Sequence, residues 1–587
     1  MEYIKKRIDK KHNNMKRTAA IILSLVALVV ACQKDDITVV SDTTSGNTSG
    51  NDDNGADTTT TVTTDFDRTV TIVFSTSGSA TVTGAEGNVS ATVSGNDVTI
   101  RNAGDEKVLY VLSGTTTDGF LKIYSGKKQG IQLNSVSITN TRGAAINVQG
   151  LEATPAKGKR VDLILSGSST LADGATYSLT PSTEDEKATL FSEGQIVFSG
   201  SGALTVTATG KAGVTSDDWV QFLGGTTVNV TSTAGHGVRG KDYILVSGGT
   251  IGVNVSAGGK KGFSSDSLVR FDGGETTIKV TGSTVVTTTD GVTDTSSTAG
   301  IKADQLFEMN AGTLTITNSG TGGKGISGDG NGYFRGGTVN VTVTGNNFGS
   351  SSGGGGGHGP WGGGSSSDNS VGAKGIKFDG DIVISGGVIT VTASKHEGIE
   401  SKGTLTVSGG EVYSQSSDDA INAASDMTIS GGFVCAYSTG NDGLDANGNL
   451  YLQGGVVYAI GSSSPEMAID ANTEGGKKLY VQGGTIIAIG GLESGSQLTQ
   501  SCYRSSSWTR NTWYSITVGN TTYAFKTPAS GGSGLIVSGS EQPTVKSGVS
   551  TEGGTSRLNG MLLDGATVSG GNSVSLSSYS GGGGWGW

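Results

Sequence analysis

Short runs of strict alternation between apolar and polar side chains recur along this chain. "TVNVTV" at 338–343 and "VITVTA" at 388–393 are two of them, and a period of two places the apolar set on one face of a β-strand. Paired glycines punctuate the pattern. The pairs that begin at Gly224, Gly248, Gly273, Gly336, Gly386, Gly409, Gly431 and Gly454 are separated by 24, 25, 63, 50, 23, 22 and 23 residues. The two long gaps hold a weaker copy, "NAGTLTIT" around Gly312, and a Gly-rich insertion, "FGSSSGGGGGHGPWGGGSSSDNS", at 348–370. A unit of 22 to 25 residues is too small to bury its own apolar face and must stack on its neighbours. With strands and no helices, the expected stack is a parallel β-helix, a solenoid whose tiers lie one strand spacing apart. Ten tiers at about 4.8 Å would make a rod on the order of 50 Å long.

In such a stack the second and fourth residues after each glycine pair face inward, as Val434 and Ala436 or Val457 and Ala459 do, and the residues between them face outward. The outward positions are expected to be polar in the earlier tiers, as at Thr390 and Thr392, and become Tyr413, Phe433, Tyr437, Tyr458, Ile487 and Ile489 in the last ones. An apolar strip of this kind marks something that covers it. Either the C-terminal segment folds back over the strip, or Tyr413, Tyr437 and Tyr458 form a platform on which sugar rings stack.

Composition agrees with an all-β chain: of 587 residues 100 are Gly and 6 are Pro, and 34% are apolar. Forty Lys and Arg against 51 Asp and Glu leave a net charge of −11. With no basic stripe evident in the sequence, nucleic acid is not an expected partner. Apart from Cys32, only Cys435 and Cys502 are present, and two cysteines make no disulfide framework; two free, buried thiols are expected.

Lys16 and Arg17 precede the apolar run "TAAIILSLVALVVA", which suits the core of a signal peptide, with Met15 a candidate start. The run closes with "VVAC", which resembles a bacterial lipobox and implies lipidation at Cys32. "QKDD" at 33–36 resembles the export signal of surface lipoproteins of the Bacteroidetes group. The expected organisation is a signal peptide at 1–31, a tether at 32–65 that is rich in Thr, Ser, Gly, Asn and Asp, a β-helical domain at 66–490, and a β-rich cap with a Gly/Trp tail at 491–587.

The chemistry concentrates where "HEGIE", "DDAIN", "NDGLD" and "EMAID" align. Three columns result: His396, Asp418, Asn441 and Glu466; Glu397, Asp419, Asp442 and Met467; Glu400, Asn422, Asp445 and Asp470. Carboxylates stacked about 4.8 Å apart without a basic partner repel one another, and solvent or a cation must relieve the cost. A mixed Asp, Glu and Asn set suits calcium, which accepts carboxylate, amide and carbonyl oxygens in flexible geometry. The candidate calcium ligands are Glu397, Glu400, Asp418, Asp419, Asn422, Asn441, Asp442, Asp445 and Asp470. Asp and Asn also form ordinary turns, and Asp266, Asp304, Asp329 and Asp379 have that structural character. "HEGIE" lacks the second His of a zinc-protease helix.

Two resemblances follow. The stretches "SGNDVTIRNAGDEKVLYVLSGTTTDGFLKIYSGKKQGIQLNSVSITNTRGAAINVQ" and "GQIVFSGSGALTVTATGKAGVTSDD", with "YAFKTPASGGSGLIVSGSE" near the C-terminus, resemble the bacterial carbohydrate-binding domain family. That resemblance spans roughly 66–545 and implies a calcium-containing right-handed β-helix that binds polygalacturonate or cellulose. The acidic columns resemble locally the calcium site of family 9 pectate lyases, which carry a D-D-x-x-D element. Asp418, Asp419 and Asn422 match with Asn in the last place, and Asn441, Asp442 and Asp445 match with Asn in the first. A lyase also needs a lysine base; Lys402, Lys477 and Lys478 are candidates without a matching motif.

Together these features lead to the expectation of a monomeric, surface-exposed outer-membrane lipoprotein that binds an acidic plant polysaccharide with the help of calcium. Binding requires no catalytic base, which favours a non-enzyme. A calcium-dependent pectate lyase and a structural adhesin clamped by calcium are the competing readings.

Overall fold

A computed structural model describes residues 65–151, 160–178, 181, 184–349 and 370–581. The leader with Cys32, all but the end of the tether, most of the Gly-rich insertion with His358 and Trp361, and all but the first residue of the terminal "GGGGWGW" lie outside the described residues. The described chain is all-β. Its only helical element is a 3-10 turn at Leu558–Gly560, and no helix among the described residues is long and apolar enough to cross a membrane.

Successive repeats stack in register through parallel pairs, as the alternation predicts: Val228 pairs with Ile251 and Val230 with Val253. The inward side chains meet in one continuous core. Phe198 and Phe222 stack at 4.7 Å, and Phe222, Phe263 and Phe271 continue the ladder at 6.1 and 6.2 Å. Each ring removed from water contributes roughly 1.5–3 kcal/mol.

The expected right-handed solenoid is corrected by the way the ladders join. One ladder of parallel pairs runs through Val108–Thr116, Gln129–Asn134, Val161–Ser166, Ile196–Gly200, Trp219–Phe222, Tyr243–Val246 and Leu268–Val280. A second runs from the same Val108–Thr116 through Ser137–Asn140, Ser168–Asp173, Ala203–Ala208, Thr227–Ser232 and Thr250–Val255 to the same Leu268–Val280. The ring therefore closes as a 12-strand parallel β-barrel, with further strands and sheets outside it. The physical reason lies in glycine. Leu268–Val280 is a single 13-residue strand that continues through the pair expected to end it. Gly274 takes the bend at a φ of +74°, and a Cβ there would lie 2.7 Å from the Gly248 carbonyl carbon, so only Gly fits.

The apolar strip is covered. Tyr413, Tyr437 and Tyr458 lie beneath the C-terminal segment in a cluster with Tyr514, Ile516, Phe525, Leu535 and Val537. Tyr458 is fully buried and donates its hydroxyl to the Lys526 carbonyl at 2.9 Å. A sugar platform at these three tyrosines is thereby corrected: their rings are core. Leu535–Ser538 also pairs antiparallel with Leu479–Ile489, so the last long strand has no bare edge there. Cys435 and Cys502 are free and buried, as expected.

Candidate functional site

The acidic residues sit on a second sheet of 15 strands. Its last five strands are Ile376–Phe378, Ile399–Ser401, Ile421–Ala423, Leu444–Ala446 and Ile469–Ala471. Register stacks Lys377, Glu400, Asn422, Asp445 and Asp470 directly on one another. The hydrogen bonds from Gly398 N–H to the Asp419 carbonyl, from Ala420 to Asp442 and from Gly443 to Met467 stack Glu397, Asp419, Asp442 and Met467 in the same way. Two of the three columns read from the repeat spacing are therefore built as expected.

The columns divide into two halves of different electrostatics. At one end the acids have cations, contrary to the expectation of no basic partner. Lys374 Nζ lies 2.6 Å from Glu400 and 3.2 Å from Glu397, and Lys402 also pairs with Glu400. His396 contacts Glu397 and sits 3.0 Å from Asp418, whose other oxygen accepts from the Asn441 amide at 2.9 Å. Burial works against a charged His396 ring, but the hydrogen bonds to Asp418 and Glu397 outweigh it and raise the imidazole to about 9. Glu397 is held below the usual carboxylate range, because the contacts with His396 and Lys374 outweigh its burial. Asp418 is lowered chiefly by its hydrogen bond to His396.

The other half holds Asp419, Asp442, Asp445 and Asp470, and no ion pair to any of them occurs among the described residues. One carboxylate oxygen each from Asp442, Asp445 and Asp470 lies within 4.8 Å of the others. Burial first, and the neighbouring aspartates second, push Asp419 up to about 8. Burial is likewise the main cause at Asp442, raised to about 7, and at Asp445, raised to about 6. The Asn422 amide donates to Asp419 at 3.2 Å and to Asp445 at 2.5 Å, while the Met467 backbone N–H donates to Asp442 at 2.5 Å. These bonds orient the carboxylates without neutralising them. Hard oxygen donors from adjacent tiers, held close and short of positive charge, fit a divalent cation such as calcium. Oxygens of Asp442, Asp445 and Asp470 would hold it, with Asp419 and Asn422 beside them.

Glu493, which is not among the candidate ligands, belongs here as well. Its backbone N–H donates to Ile469, and its carboxyl shares a hydrogen bond with Asp470. Burial and Glu493 raise Asp470, while the shared bond lowers Glu493 against its own burial. The signal was present: Gly491-Leu492-Glu493 copies Gly443-Leu444-Asp445.

Toward the N-terminus the same columns are basic, so the absence of a basic stripe is also corrected. His236, Lys261, Ala299, Lys324 and Lys374 continue the column of Glu397. Arg239, Ser264, Lys302, Ser327 and Lys377 continue that of Glu400. The aspartates of structural character now have an explanation. Asp266 binds Arg239 at 2.8 Å, while Asp304 and Asp329 pair with Lys302, and Asp379 pairs with Lys377.

Residues 94–266 and 319–420 match the family of carbohydrate-binding domain-containing proteins. Among solved structures, a polysaccharide lyase-like protein from C. thermocellum, studied as a gadolinium derivative, is similar at 21% identity; the match covers 46% of this chain and 96% of that one, with a TM-score of 0.36. No curated protein matches the chain.

Proposed function

We propose that this protein binds an acidic polysaccharide of the polygalacturonate type, with a calcium ion shared between its own carboxylates and those of the glycan. The observation that carries the reading is the cluster of Asp442, Asp445 and Asp470, whose oxygens converge within 4.8 Å with no cationic side chain paired to them among the described residues. The match to a carbohydrate-binding family over 94–266 and 319–420 supports a saccharide as the ligand class. An acidic protein face and an acidic glycan repel each other, and a divalent ion supplies the charge that joins them. Asp442, Asp445 and Asp470 provide protein oxygens to the ion, and Asn422 fixes the orientation of two carboxylates beside it. Lipidation at Cys32 would place this face outside the outer membrane; Cys32→Ala should then release the protein from the membrane fraction.

A binding role requires no base, and Lys402, one of the three lysine candidates for one, is already paired with Glu400. Burial lowers its pKa, but the hydrogen bond to Glu400 outweighs this and leaves it raised, the wrong direction for a general base near neutral pH. The deciding experiment is retention of the protein on immobilised polygalacturonate in calcium and in excess EDTA, with ultraviolet absorbance followed for unsaturated product. Calcium-dependent retention without product supports the binding reading. Rising absorbance would assign an enzyme, and no retention in either buffer would remove the glycan.

A further inference from the structure

The uncompensated positive charge on the basic half of this face is as unusual as the uncompensated negative charge on the acidic half. Arg239, Lys302 and Lys377 each have an aspartate partner. Lys211, Lys260, Lys261 and Lys324 have no ion pair among the described residues. Lys211 lies 4.6 Å over the Tyr177 ring and donates to the Glu186 carbonyl. Lys261 donates to the Gly259 carbonyl at 2.9 Å and to Ser296 Oγ at 3.4 Å, and Lys324 to Ser297 Oγ at 3.3 Å. Neutral acceptors of this kind hold the ammonium groups in place without cancelling their charge. Burial first, and the neighbouring lysines second, lower both Lys261 and Lys324 to about 8. A bound anion would relieve that cost.

A cavity opens beside them. It has a volume of 320 Å³, and its lining includes Lys187, Lys211, Thr215, His236, Arg239 and Lys260, a size at the small end of ligand pockets, roughly 300–1,000 Å³. Lys261 and Lys324 stand two tiers apart in one column, with Ala299 between them, so that the cationic track runs along the stacking direction and away from the cavity. Lys374, paired with Glu397 and Glu400, is where that track meets the acidic half.

We propose that the basic half is a second subsite for the same glycan, in which Lys211 and Lys260 on the wall of the pocket, together with Lys261 and Lys324, take uronate carboxylates directly and without a metal ion. This rests on the reading of the protein as a binder of acidic polysaccharide and adds a division of labour. One extended chain of uronate residues lies along the face, held by ammonium groups at one end and through a shared cation at the other. Close donors of a single sign favour a polyanion and make its binding sensitive to salt.

The test is calorimetric titration of the full chain with oligogalacturonate in excess EDTA, at low and raised salt, alongside its carboxyl-reduced form. Binding in EDTA that weakens with salt, is absent for the reduced oligomer, and falls roughly tenfold or more in a Lys211→Gln, Lys260→Gln, Lys324→Gln variant is the expected result. Protection of Lys260 and Lys324 from acetylation by the oligomer, mapped in the unmutated protein, gives the same answer if the variant fails to fold. Binding seen only in calcium would overturn the second subsite while leaving the proposed function intact. No binding in either buffer would overturn both. Binding in EDTA that the triple variant leaves unchanged, or tighter binding of an oligonucleotide than of the uronate chain, would also overturn the assignment.

Discussion

Lys374 and Glu400 meet at 2.6 Å, and their contact marks the tier at which one face of the protein changes sign. Lys261 and Lys324 stand in the column on one side of it, and Asp419 and Asp442 continue that column on the other. The acids nearest the boundary are neutralised by Lys374, Lys402 and His396. Uncompensated negative charge therefore collects farther along, at Asp442, Asp445 and Asp470, where a divalent ion fits. The paired acids serve to orient and join the two halves, and the unpaired ones remain for chemistry.

The paired substitution Asp442→Asn with Asp445→Asn keeps side-chain size and removes two repelling charges. In EDTA the variant should melt above the parent protein. Added calcium should raise the parent's Tm and leave that of the variant unmoved. Thermal unfolding with and without calcium checks both; a variant that calcium still stabilises would exclude these residues as ligands.

Stability without a divalent ion should fall as pH rises. Asp419, Asp442 and Asp445 have folded-state values of about 8, 7 and 6 against an ordinary 3.8. The folded protein therefore holds protons that the unfolded chain releases, and stability is lost as pH climbs through this window. Glu397 and Asp418 shift the other way and cost stability only at acid pH. Melting in EDTA at pH 5 and pH 8, both about the range of these values, should show the lower Tm at the higher pH. Calcium should reverse the loss, since binding a cation displaces protons from its ligands.

Tyr458 tests the assignment of the aromatic strip to the core. Tyr458→Phe removes the hydrogen bond to the Lys526 carbonyl and should cost about 1 kcal/mol; Tyr458→Ala should cost roughly 3–5 kcal/mol. Glycan affinity of the folded Phe variant should equal that of the parent. A loss of affinity without a loss of stability would return this tyrosine to the ligand.

Gly432 adopts a φ of +79°, and a Cβ there would meet the Gly410 carbonyl oxygen at 2.6 Å. Gly432→Ala should destabilise by at least roughly 1–3 kcal/mol from the backbone alone, measurable as a reduced denaturation midpoint.

Much of the site was legible because the repeat spacing fixes which residues stack. Glu400, Asn422, Asp445 and Asp470 align by counting alone, and their pairing follows from it. Lys374 carries the same signal, with Lys374-Gly375-Ile376-Lys377 lying over Glu397-Gly398-Ile399-Glu400 at the ordinary spacing of 23 residues, so the same counting exposes it once basic as well as acidic residues are followed along the column. Closure of the barrel was not legible. A parallel pair has the same two-residue alternation in an open stack and in a closed ring. The difference arises where Leu268–Val280 passes unbroken through Gly273 and Gly274, a matter of backbone dihedral and not of pattern. The tyrosine strip was legible as apolar and outward, and its cover by the C-terminal segment was one of the two expected outcomes; the covering residues, such as Phe525 and Val537, were not, because they lie far along the chain and outside the repeat.

An ion that joins protein and glycan at Asp442, Asp445 and Asp470 must couple the binding of the two ligands. Calcium should be titrated calorimetrically into the protein alone and into the protein saturated with oligogalacturonate. A shared ion requires that the glycan raise calcium affinity by the same factor by which calcium raises glycan affinity, so a clear increase is predicted. Equal calcium affinity in the two titrations would mean that the ion clamps the tiers without touching the ligand, and would rule out a shared ion.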